Sequence, residues 1–419
     1  MEGVSVSLPH LVVRTRETDH VEDLLTFTSP TRPTAWMRRG DGMVGWGAAH
    51  TFTVADGDAA GELSRQWTAL AAAADIDDPV GLPGTGLVAF GALTFDTRSR
   101  RAGELHVPRV IVGRRGGRGW VTTIDPAGEG PLEPHETPYG GHWAGTLGPG
   151  EQSAEGYLAS VRAGLDAIAA GEVGKVVLAR DLRGTAPAGS DLRRLARALA
   201  SDYPDTWTFA VDGIIGASPE TLVTVHGGTV TARVLAGTTP RGADADADTA
   251  AASALASSGK DLDEHEFAVQ SVLSSLRPYT RALVAGEAPF TLKLPNVWHL
   301  ATDVEGELGG VASALDLVGA LHPTAAVAGT PTAAAIEVIR RLEPFDRGRY
   351  AGPVGWIDAH GDGEWAIALR CAQFDLPADE AAPIAVTAYA GAGIVPGSDP
   401  ETELIETRVK FRPIVDALA

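Results

Sequence analysis

The chain has 419 residues, of which 44% are hydrophobic, and its 54 acidic against 34 Lys and Arg residues give a net charge of −20. This charge argues against nucleic acids and anionic membrane surfaces as partners, because both bind to basic surfaces. The single cysteine, Cys371, rules out an intramolecular disulfide and a zinc site made of several cysteines. We find neither a signal peptide nor an apolar run of about 18 residues. These features predict a cytoplasmic protein that does not span a membrane.

Residues 1–150 predict a strand-rich region. Short apolar runs such as Leu11–Val13 and Leu87–Phe90 alternate with turns, and one helix is expected over Ala59–Ala73. Residues 126–150 are rich in Pro, Gly, Glu and His, a composition typical of a long loop or linker. None of these segments carries a candidate catalytic or ligand-binding residue, so we interpret the region as scaffold.

Residues 151–419 alternate predicted helices with hairpin strands. Ser153 is suited to cap a helix that ends at Gly171, and Lys175–Arg180 predicts a buried strand. The other predicted strands are Thr206–Val211, Thr221–Val225, Thr229–Val234, Gly355–Ala359, Trp365–Arg370 and Ile384–Ala390. The other predicted helices are Leu262–Leu276, Ser313–Leu321, Thr332–Leu342 and Glu401–Leu418, and Ala243–Asp248 predicts a solvated loop. Strands joined by hairpins, with helices in blocks, predict an α+β fold with mainly antiparallel sheets.

Four acidic residues form two pairs, each at the start of a predicted helix. Asp261 and Glu264 are three residues apart, as are Glu403 and Glu406, so each pair lies on one helix face. Like charges at this spacing repel unless a cation or the helix N-terminus compensates. If the two pairs faced each other, they would suit a hard divalent cation, most naturally Mg²⁺ with waters. The alternative is that these acids are ordinary solvent-facing residues of a first helical turn.

Several single residues are candidates for chemistry, and each has an ordinary structural alternative. Lys175 begins a buried strand, where a lysine with a lowered pKa can act as a base or can extend its amine to solvent. Glu220 lies in a turn between two strands, a position usually exposed. Lys410 follows Glu406 by one helical turn and could form a surface salt bridge. Arg370 ends an apolar strand and could be a solvated terminus, and His299 could be a core or surface histidine.

Gly391 and Gly393 follow the last predicted strand. Their backbone N–H groups could bind an anion, although the segment is too short for a dinucleotide-binding motif and no helix begins there. The alternative is a bend in the strand.

Nine segments occur in a specific order along the second part of the chain. They are Lys175–Arg180, Gly216–Glu220, Leu235–Thr238, Asp261–His265, Leu321–Thr324, Arg347–Gly352, Gly363–Arg370, Ala390–Ile394 and Glu403–Lys410. In this order they resemble the chorismate-utilising enzyme family, and most of all its isochorismate synthases. The resemblance covers residues 153–415, whereas residues 1–150 are similar only in their strand-and-turn character.

The resemblance implies a large α+β fold of two subdomains, each a mainly antiparallel sheet with flanking helices. Residues 1–150 would be a strand-rich part of this fold, and residues 151–419 the part that binds chorismate. It also implies that Glu264 and Glu406 bind Mg²⁺, with Asp261 and Glu403 supporting the ion through waters. The residues that it assigns to substrate binding are Gly237, Thr238, His299, Tyr350, Arg370, Gly391, Gly393 and Lys410.

Within the family, the lysine at position 175 implies that water rather than ammonia is added. Lys175 would activate the water, and Glu220 would protonate the departing C4 hydroxyl of chorismate. Aminodeoxychorismate synthases carry a nucleophilic lysine where this chain has Ala236. We therefore expect a Mg²⁺-dependent isochorismate synthase, an isomerase that is a monomer without a glutaminase subunit. Its product would supply menaquinone or catechol siderophore synthesis. The alternatives are a salicylate synthase, which goes on to eliminate pyruvate, and a binding protein that leaves the site unused.

Overall fold

The computed structural model describes residues 8–19, 21–55, 57–293, 297–379 and 381–419, without the side chains of Thr238, Pro240, Lys260 and Val297. The strands of the first part are β1 (Leu11–Thr18), β2 (Thr34–Arg38), β3 (Asp41–Trp46), β4 (His50–Val54), β5 (Asp75–Asp77), β6 (Val88–Ala92), β7 (Gly103–Val107), β8 (Val110–Arg115), β9 (Arg118–Pro126) and β10 (Thr146–Pro149). The later strands are β11 (Lys175–Ala186), β12 (Trp207–Val211), β13 (Ile214–Ser218), β14 (Thr221–His226), β15 (Thr229–Pro240), β16 (Thr280–Ala285), β17 (Phe290–Lys293), β18 (Val297–Leu308), β19 (Gly329–Thr330), β20 (Pro353–Asp358), β21 (Gly363–Ile367), β22 (Cys371–Asp375) and β23 (Ile384–Ile394). The helices are α1 (Ala59–Ala73), α2 (Ala154–Ala169), α3 (Arg193–Asp202), α4 (Ala245–Ser257), α5 (Gly259–Leu276), α6 (Ala314–Leu321), α7 (Thr332–Leu342) and α8 (Pro400–Leu418), with short 3₁₀ turns at Leu24–Phe27 and Arg277–Tyr279.

The described strands form two sheets. The larger sheet has the order β10-β11-β23-β22-β13-β12-β2-β3-β8-β9-β1-β5, with β19 paired to β11. The smaller sheet has the order β16-β18-β15-β14-β21-β20-β6-β7-β4, with β17 paired to β18. Neighbouring strands are antiparallel except β1 and β5. The predicted α+β class with antiparallel sheets is confirmed.

Both sheets are shared between the two parts of the chain. Strands from residues 1–150 supply β1–β3, β5 and β8–β10 of the larger sheet and β4, β6 and β7 of the smaller one. The first part therefore extends both sheets rather than forming a separate unit.

The main core lies between the two sheets. One buried cluster combines Trp36 of the larger sheet with Trp356 and Trp365 of the smaller sheet. Along β2, Ala35 and Met37 belong instead to a second cluster that includes Phe411 and other side chains of α3 and α8. Because successive side chains of a strand point to opposite faces, the larger sheet is covered on both sides.

Local sequence signals explain where several elements begin and end. Helix α1 covers Ala59–Ala73 as predicted. The Ser153 hydroxyl caps α2 by accepting a hydrogen bond from the Gly156 N–H at 3.0 Å, and Gly171 follows the helix with a positive φ of 74°. Strand β11 continues to Ala186, beyond the predicted end at Arg180, because it pairs with β23 along eleven consecutive residues.

The predicted solvated loop Ala243–Asp248 is wrong. Asp244 caps helix α4 by accepting a hydrogen bond from the Ala247 N–H at 2.8 Å, and the helix runs to Ser257. Asp248 is buried and forms an ion pair with Arg241 at 2.5 Å. The alternating Ala and Asp residues thus form the start of a helix. Acidic residues are stabilising there because the N-terminus is the positive end of the helix dipole.

Across the described ranges, no helix is long and apolar enough to cross a membrane.

Candidate active site

The candidate site lies where β11 and β23 run side by side. Lys175, at the start of β11, pairs with Thr330 of β19, and Val177, two residues later, lies opposite Gly393 of β23. A Cβ atom added at Gly393 would lie 3.2 Å from the Lys175 Cε, and one added at Gly391 would lie 3.1 Å from the Tyr350 hydroxyl. Since residues two apart share a face of a strand, the side chains of Lys175 and Tyr350 approach the same face of β23.

The glycine end of β23 extends beyond its other neighbour, β22. The pairing of β22 with β23 ends at Ala372 and Ala388, so Gly391 lies past it. The Gly391 carbonyl accepts a hydrogen bond from the Lys410 Nζ at 2.8 Å. Lys410 also forms the expected i, i+4 ion pair with Glu406, at 2.5 Å. Lys410 therefore joins helix α8 to the glycine end of the strand as well as pairing along its own helix.

Glu220 and Arg370 lie where the chain crosses between the two sheets. Glu220 connects β13 of the larger sheet to β14 of the smaller one, and its carbonyl accepts a hydrogen bond from the Ile367 N–H at 3.0 Å. Ser218 fixes this turn, since its hydroxyl donates to the Ile367 carbonyl at 2.5 Å and accepts from the Glu220 N–H at 3.2 Å.

Arg370 makes the opposite crossing, from β21 back to β22. The predicted strand Trp365–Arg370 is too long, because β21 ends at Ile367 and Arg370 has a positive φ of 49°. The Arg370 carbonyl accepts a hydrogen bond from the Ala217 N–H at 3.1 Å, which ties this crossing to the one that carries Glu220. The two crossings therefore bring an acid and a guanidinium to the junction of the sheets.

Electrostatics link Lys175 with Glu220. Burial lowers the pKa of the Lys175 amine and the neighbouring charge of Lys410 lowers it further, while Glu264 and Glu220 oppose this shift. Burial raises the pKa of the Glu220 carboxyl, against the opposing charges of Lys175, Arg370 and Lys410. Both side chains are thus shifted toward their neutral forms. A neutral amine can act as a base and a neutral carboxylic acid can act as an acid at the same pH.

Tyr350 is held as a neutral hydrogen-bond donor beside the glycines. It is buried, and its ring stacks on Tyr389 of β23 with 5.1 Å between ring centres and 13° between planes. Burial raises the pKa of the Tyr350 hydroxyl, so the proton is retained. Tyr389 was not predicted as a site residue, since a tyrosine in an alternating strand has no distinctive pattern.

The first acidic pair is positioned by a histidine to which no role was predicted. His265 is buried in α5 and forms hydrogen bonds with the Ala236 carbonyl of β15 at 3.0 Å and with the Thr302 hydroxyl of β18 at 2.7 Å. These contacts dock α5 on the smaller sheet, and they place Glu264, one residue earlier, close enough to influence the pKa of Lys175. In the sequence, only the position of His265 directly after an Asp-Glu pair could have indicated a role for this histidine.

The second acidic pair lies on α8, whose N-terminus is capped by Asp399. Glu403 is buried, and burial raises the pKa of its carboxyl. Glu406 is exposed and pairs with Lys410. Glu406 and Glu220 both act electrostatically on Arg370, so α8 faces the same junction as the crossing residues.

The chemistry of the acidic residues fits Mg²⁺. Within the described ranges, no three His, Cys, Asp or Glu side chains lie together as a metal-binding group. Mg²⁺, however, commonly takes one or two protein carboxylates and completes its octahedral shell with waters and substrate oxygens. Glu264 of α5 acts electrostatically on Lys175, and Glu406 of α8 contacts Lys410, which itself acts on Lys175. One carboxylate from each helix therefore acts on one of these two neighbouring lysines.

Of the predicted substrate residues, Gly237 lies next to Asp261, and His299 contacts Gly237. Gly237 has a positive φ of 74°, and the register of β15 and β18 shifts there, which is typical of a β-bulge. A Cβ atom at Gly237 would lie 3.4 Å from the Asp261 Cβ. His299 forms a hydrogen bond with the Gly237 backbone, and burial lowers its pKa, as do Lys175 and Lys410. The predicted side chain of Thr238 lies outside the described residues.

Comparisons with known proteins agree with this architecture. A family model described as "Chorismate binding enzyme" matches residues 144–419. Isochorismate synthase DhbC of Bacillus subtilis (strain 168) is 43% identical over 276 residues, which are 63% of this chain and 68% of that protein. A MenF relative from Mycobacterium tuberculosis (strain CDC 1551 / Oshkosh) is 40% identical over 349 residues, 80% of this chain and 87% of that protein. The structure of MenF, the menaquinone-specific isochorismate synthase from Escherichia coli, aligns with a TM-score of 0.75 and 26% identity, covering 97% of this chain and 95% of that chain.

Proposed function

The chain belongs to the chorismate-binding enzyme family, and we propose that within it the protein is an isochorismate synthase that adds water to chorismate. The observation that carries the proposal is the pair formed by Lys175 and Glu220. These two side chains interact electrostatically, and burial shifts their pKa values in opposite directions, toward a neutral amine and a neutral carboxylic acid. Moving a hydroxyl from one carbon to another requires a base that activates water and an acid that protonates the departing hydroxyl.

Cations and backbone donors suit the substrate, which is a dianion. Arg370 and Lys410 supply positive charge, Tyr350 supplies a retained hydroxyl proton, and Gly391 and Gly393 allow close approach of the backbone because they lack a Cβ. Charge-assisted hydrogen bonds of this kind are about twice as strong as neutral ones. We therefore assign these five residues to the two carboxylates of chorismate, with Gly237 and His299 at the edge of the same site.

The proposed reaction balances with one water consumed and one released. Lys175, in its neutral form, takes a proton from a water whose oxygen bonds to C2 of the substrate. The ring double bonds shift, the bond between C4 and its hydroxyl oxygen breaks, and Glu220 donates a proton so that water departs. The proton gained by Lys175 and the one lost by Glu220 are then exchanged with solvent. Each group typically contributes about 10²–10⁴-fold to the rate.

Mg²⁺ is part of the proposal. Glu264 and Glu406 would hold the ion, with Asp261 and Glu403 supporting it through waters. When bound, Mg²⁺ supplies a Lewis acid that neutralises and orients a substrate carboxylate. In this arrangement the ion would also reduce the electrostatic influence of Glu264 on Lys175, which otherwise opposes the lowered pKa of the amine.

Ala236 stands where aminodeoxychorismate synthases have a nucleophilic lysine, which supports a water-adding enzyme without a glutaminase subunit. We propose that the enzyme acts as a cytoplasmic monomer and that its product supplies menaquinone or catechol siderophore synthesis.

A product assay tests the proposed function. The purified protein is incubated with chorismate in the presence of Mg²⁺ or of a chelator, and the products are separated by chromatography and assayed for pyruvate. We expect isochorismate, without pyruvate, in the Mg²⁺ sample alone. Salicylate with an equal amount of pyruvate would identify a salicylate synthase instead, and absence of any conversion would contradict the proposal.

A further inference from the structure

The strand that carries Lys175 lacks a full partner strand on its outer side. On that side β19 pairs only with Lys175 and Val176. Beyond this pairing, the Val177 N–H donates to the Ala328 carbonyl at 2.9 Å. The Val177 carbonyl and the Ala179 N–H point to the same side, because alternate residues of a strand direct their backbone groups alike. Buried groups of this kind need hydrogen-bond partners.

Two charged side chains supply these partners. The Ala179 N–H donates to the Glu343 Oε1 at 2.7 Å, and the Val177 carbonyl accepts from the Arg347 Nη2 at 2.8 Å. Arg347 and Glu343 are joined by two further hydrogen bonds, of 2.6 Å and 2.8 Å, and are only 4% and 7% exposed. The ion pair thus takes the place of the missing strand, two to four residues after Lys175.

Arg347 also connects β11 to two other parts of the site. Its Nη1 donates to the Val327 carbonyl at 2.9 Å, in the segment that follows α6. Its own carbonyl accepts from the Tyr350 N–H at 3.0 Å, and its guanidinium lies 4.3 Å from the ring centre of Phe95. The guanidinium of Arg347 therefore binds the Lys175 strand and the Val327 segment, and the backbone of the same residue holds the loop that leads to Tyr350.

We propose that the ion pair of Arg347 and Glu343 is a positioning element that fixes the amine of Lys175 relative to the substrate residues. This inference rests on the proposed function. Burying an ion pair is costly, and replacing such a pair with apolar side chains is often neutral or stabilising, so stability alone does not account for it. A planar guanidinium can bind a carboxylate and two carbonyls at once, whereas the ammonium of lysine lacks this fixed fork. Displacing a catalytic group by about 1 Å can cost about 10²-fold in rate.

The test compares two buried arginines. Arg347→Lys keeps the charge but removes the fork, and we expect kcat to fall about 10- to 100-fold with little change in KM. Arg193→Lys is the matched control, because Arg193 is also buried, binds Asp191 through two hydrogen bonds of 2.8 and 2.7 Å, and donates to the Thr137 and Pro138 carbonyls. We expect Arg193→Lys to lower Tm without lowering kcat at a temperature where it is folded. Equal effects of both substitutions on kcat would overturn the proposal.

A double-mutant cycle with Lys175→Ala separates positioning of the amine from a general structural role. If Arg347 acts through Lys175, Arg347→Lys lowers the residual rate of the Lys175→Ala variant by less than about threefold. The same 10- to 100-fold loss in both backgrounds would overturn the proposal. Glu343→Gln, which keeps an acceptor for the Ala179 N–H, provides the same cycle if Arg347→Lys does not fold. Failure of the wild-type protein to form isochorismate would overturn both proposals, whereas a normal kcat of the folded variants would overturn only this one.

Discussion

The strand side and the helix side of the site are built differently. On the strand side, Lys175 and the glycines of β23 belong to two strands paired along eleven residues, and Lys175 has a pKa lowered by burial. On the helix side, Glu264 and Glu406 are exposed, and each comes from a helix of its own. Groups that transfer protons need a fixed position and a shifted pKa, and a continuous sheet provides both.

The helix side has different requirements. Two carboxylates that approach each other repel unless a cation lies between them. Glu406 already pairs with Lys410, and a bound Mg²⁺ would join it to Glu264 as well. Exposure leaves both side chains accessible, which suits ligands of an ion that arrives with water or substrate. Under the proposed function, proton transfer would belong to the strand side and cation binding to the helix side, and variants on each side test this division.

The largest effects are expected on the strand side. Lys175→Ala and Glu220→Gln remove the proposed base and acid, and each should lower kcat about 10²–10⁴-fold. Chorismate binding, measured by calorimetry, should persist in both variants because Tyr350, Arg370 and Lys410 remain. A near-normal kcat in either variant would refute the role assigned to that residue.

Substitutions on the helix side should instead change the dependence of activity on Mg²⁺. Glu264→Gln and Glu406→Gln remove the proposed ligands, so the Mg²⁺ concentration that gives half-maximal activity should rise by more than the roughly 10- to 100-fold typical of losing a supporting partner. Asp261→Asn and Glu403→Gln, which remove the supporting acids, should remain within that range. An unchanged Mg²⁺ titration in Glu264→Gln or Glu406→Gln would contradict the ligand assignment.

The two glycines of β23 sharpen the comparison within the strand side. Gly391→Ala places its Cβ 2.8 Å from the Leu178 carbonyl oxygen, a backbone atom, so we expect a loss of about 1–3 kcal/mol in the free energy of unfolding together with lower activity. Gly393→Ala meets only the flexible Lys175 side chain, at 3.2 Å, so it should lower kcat about tenfold with little change in Tm.

Gly141→Ala is the control for both glycine substitutions, since a Cβ there meets no atom within 4 Å and the backbone does not have a positive φ. It should change neither Tm nor kcat. A Gly393→Ala variant with normal kcat would show that the position of the Lys175 side chain tolerates displacement.

The smallest effect expected is a change in the shape of the pH profile. The proposed active forms are neutral Lys175 and protonated Glu220. The value of kcat/KM should therefore rise with pH through the lowered pKa of the amine and fall through the raised pKa of the carboxyl. In Glu220→Gln the falling limb that belongs to this carboxyl should disappear while the rising limb stays. A falling limb that survives in this variant must belong to another group.

Periodic segments of the sequence were sufficient to predict much of the fold. The helices at Ala59–Ala73 and Thr332–Leu342 have the predicted bounds, because each carries a clear apolar stripe between end signals. The Ala243–Asp248 prediction failed because alternating Ala and Asp have no apolar stripe, and the helix start rests on tertiary contacts of Asp248 with Arg241 and Trp298.

The site was predicted as a set of residues but not as an arrangement. Ordered motifs pointed to Lys175, Glu220 and Arg370, yet nothing local shows that two crossings between sheets bring the last two together. The roles of His265 and of the Arg347–Glu343 pair were also missed, because each depends on backbone groups of strands far away in sequence. Their roles follow from strand register, which a single sequence specifies only indirectly.

The most direct test of the central claim is the origin of the oxygen that the product carries at C2. The reaction is run in water labelled with oxygen-18, and the isochorismate formed is analysed by mass spectrometry with fragmentation that isolates the C2 hydroxyl. If Lys175 activates a solvent water, the C2 hydroxyl carries the label, and its formation slows about 10²–10⁴-fold in Lys175→Ala. An unlabelled C2 hydroxyl would mean that the C4 hydroxyl is transferred within the substrate, and it would contradict the assignment of Lys175 and Glu220 as base and acid.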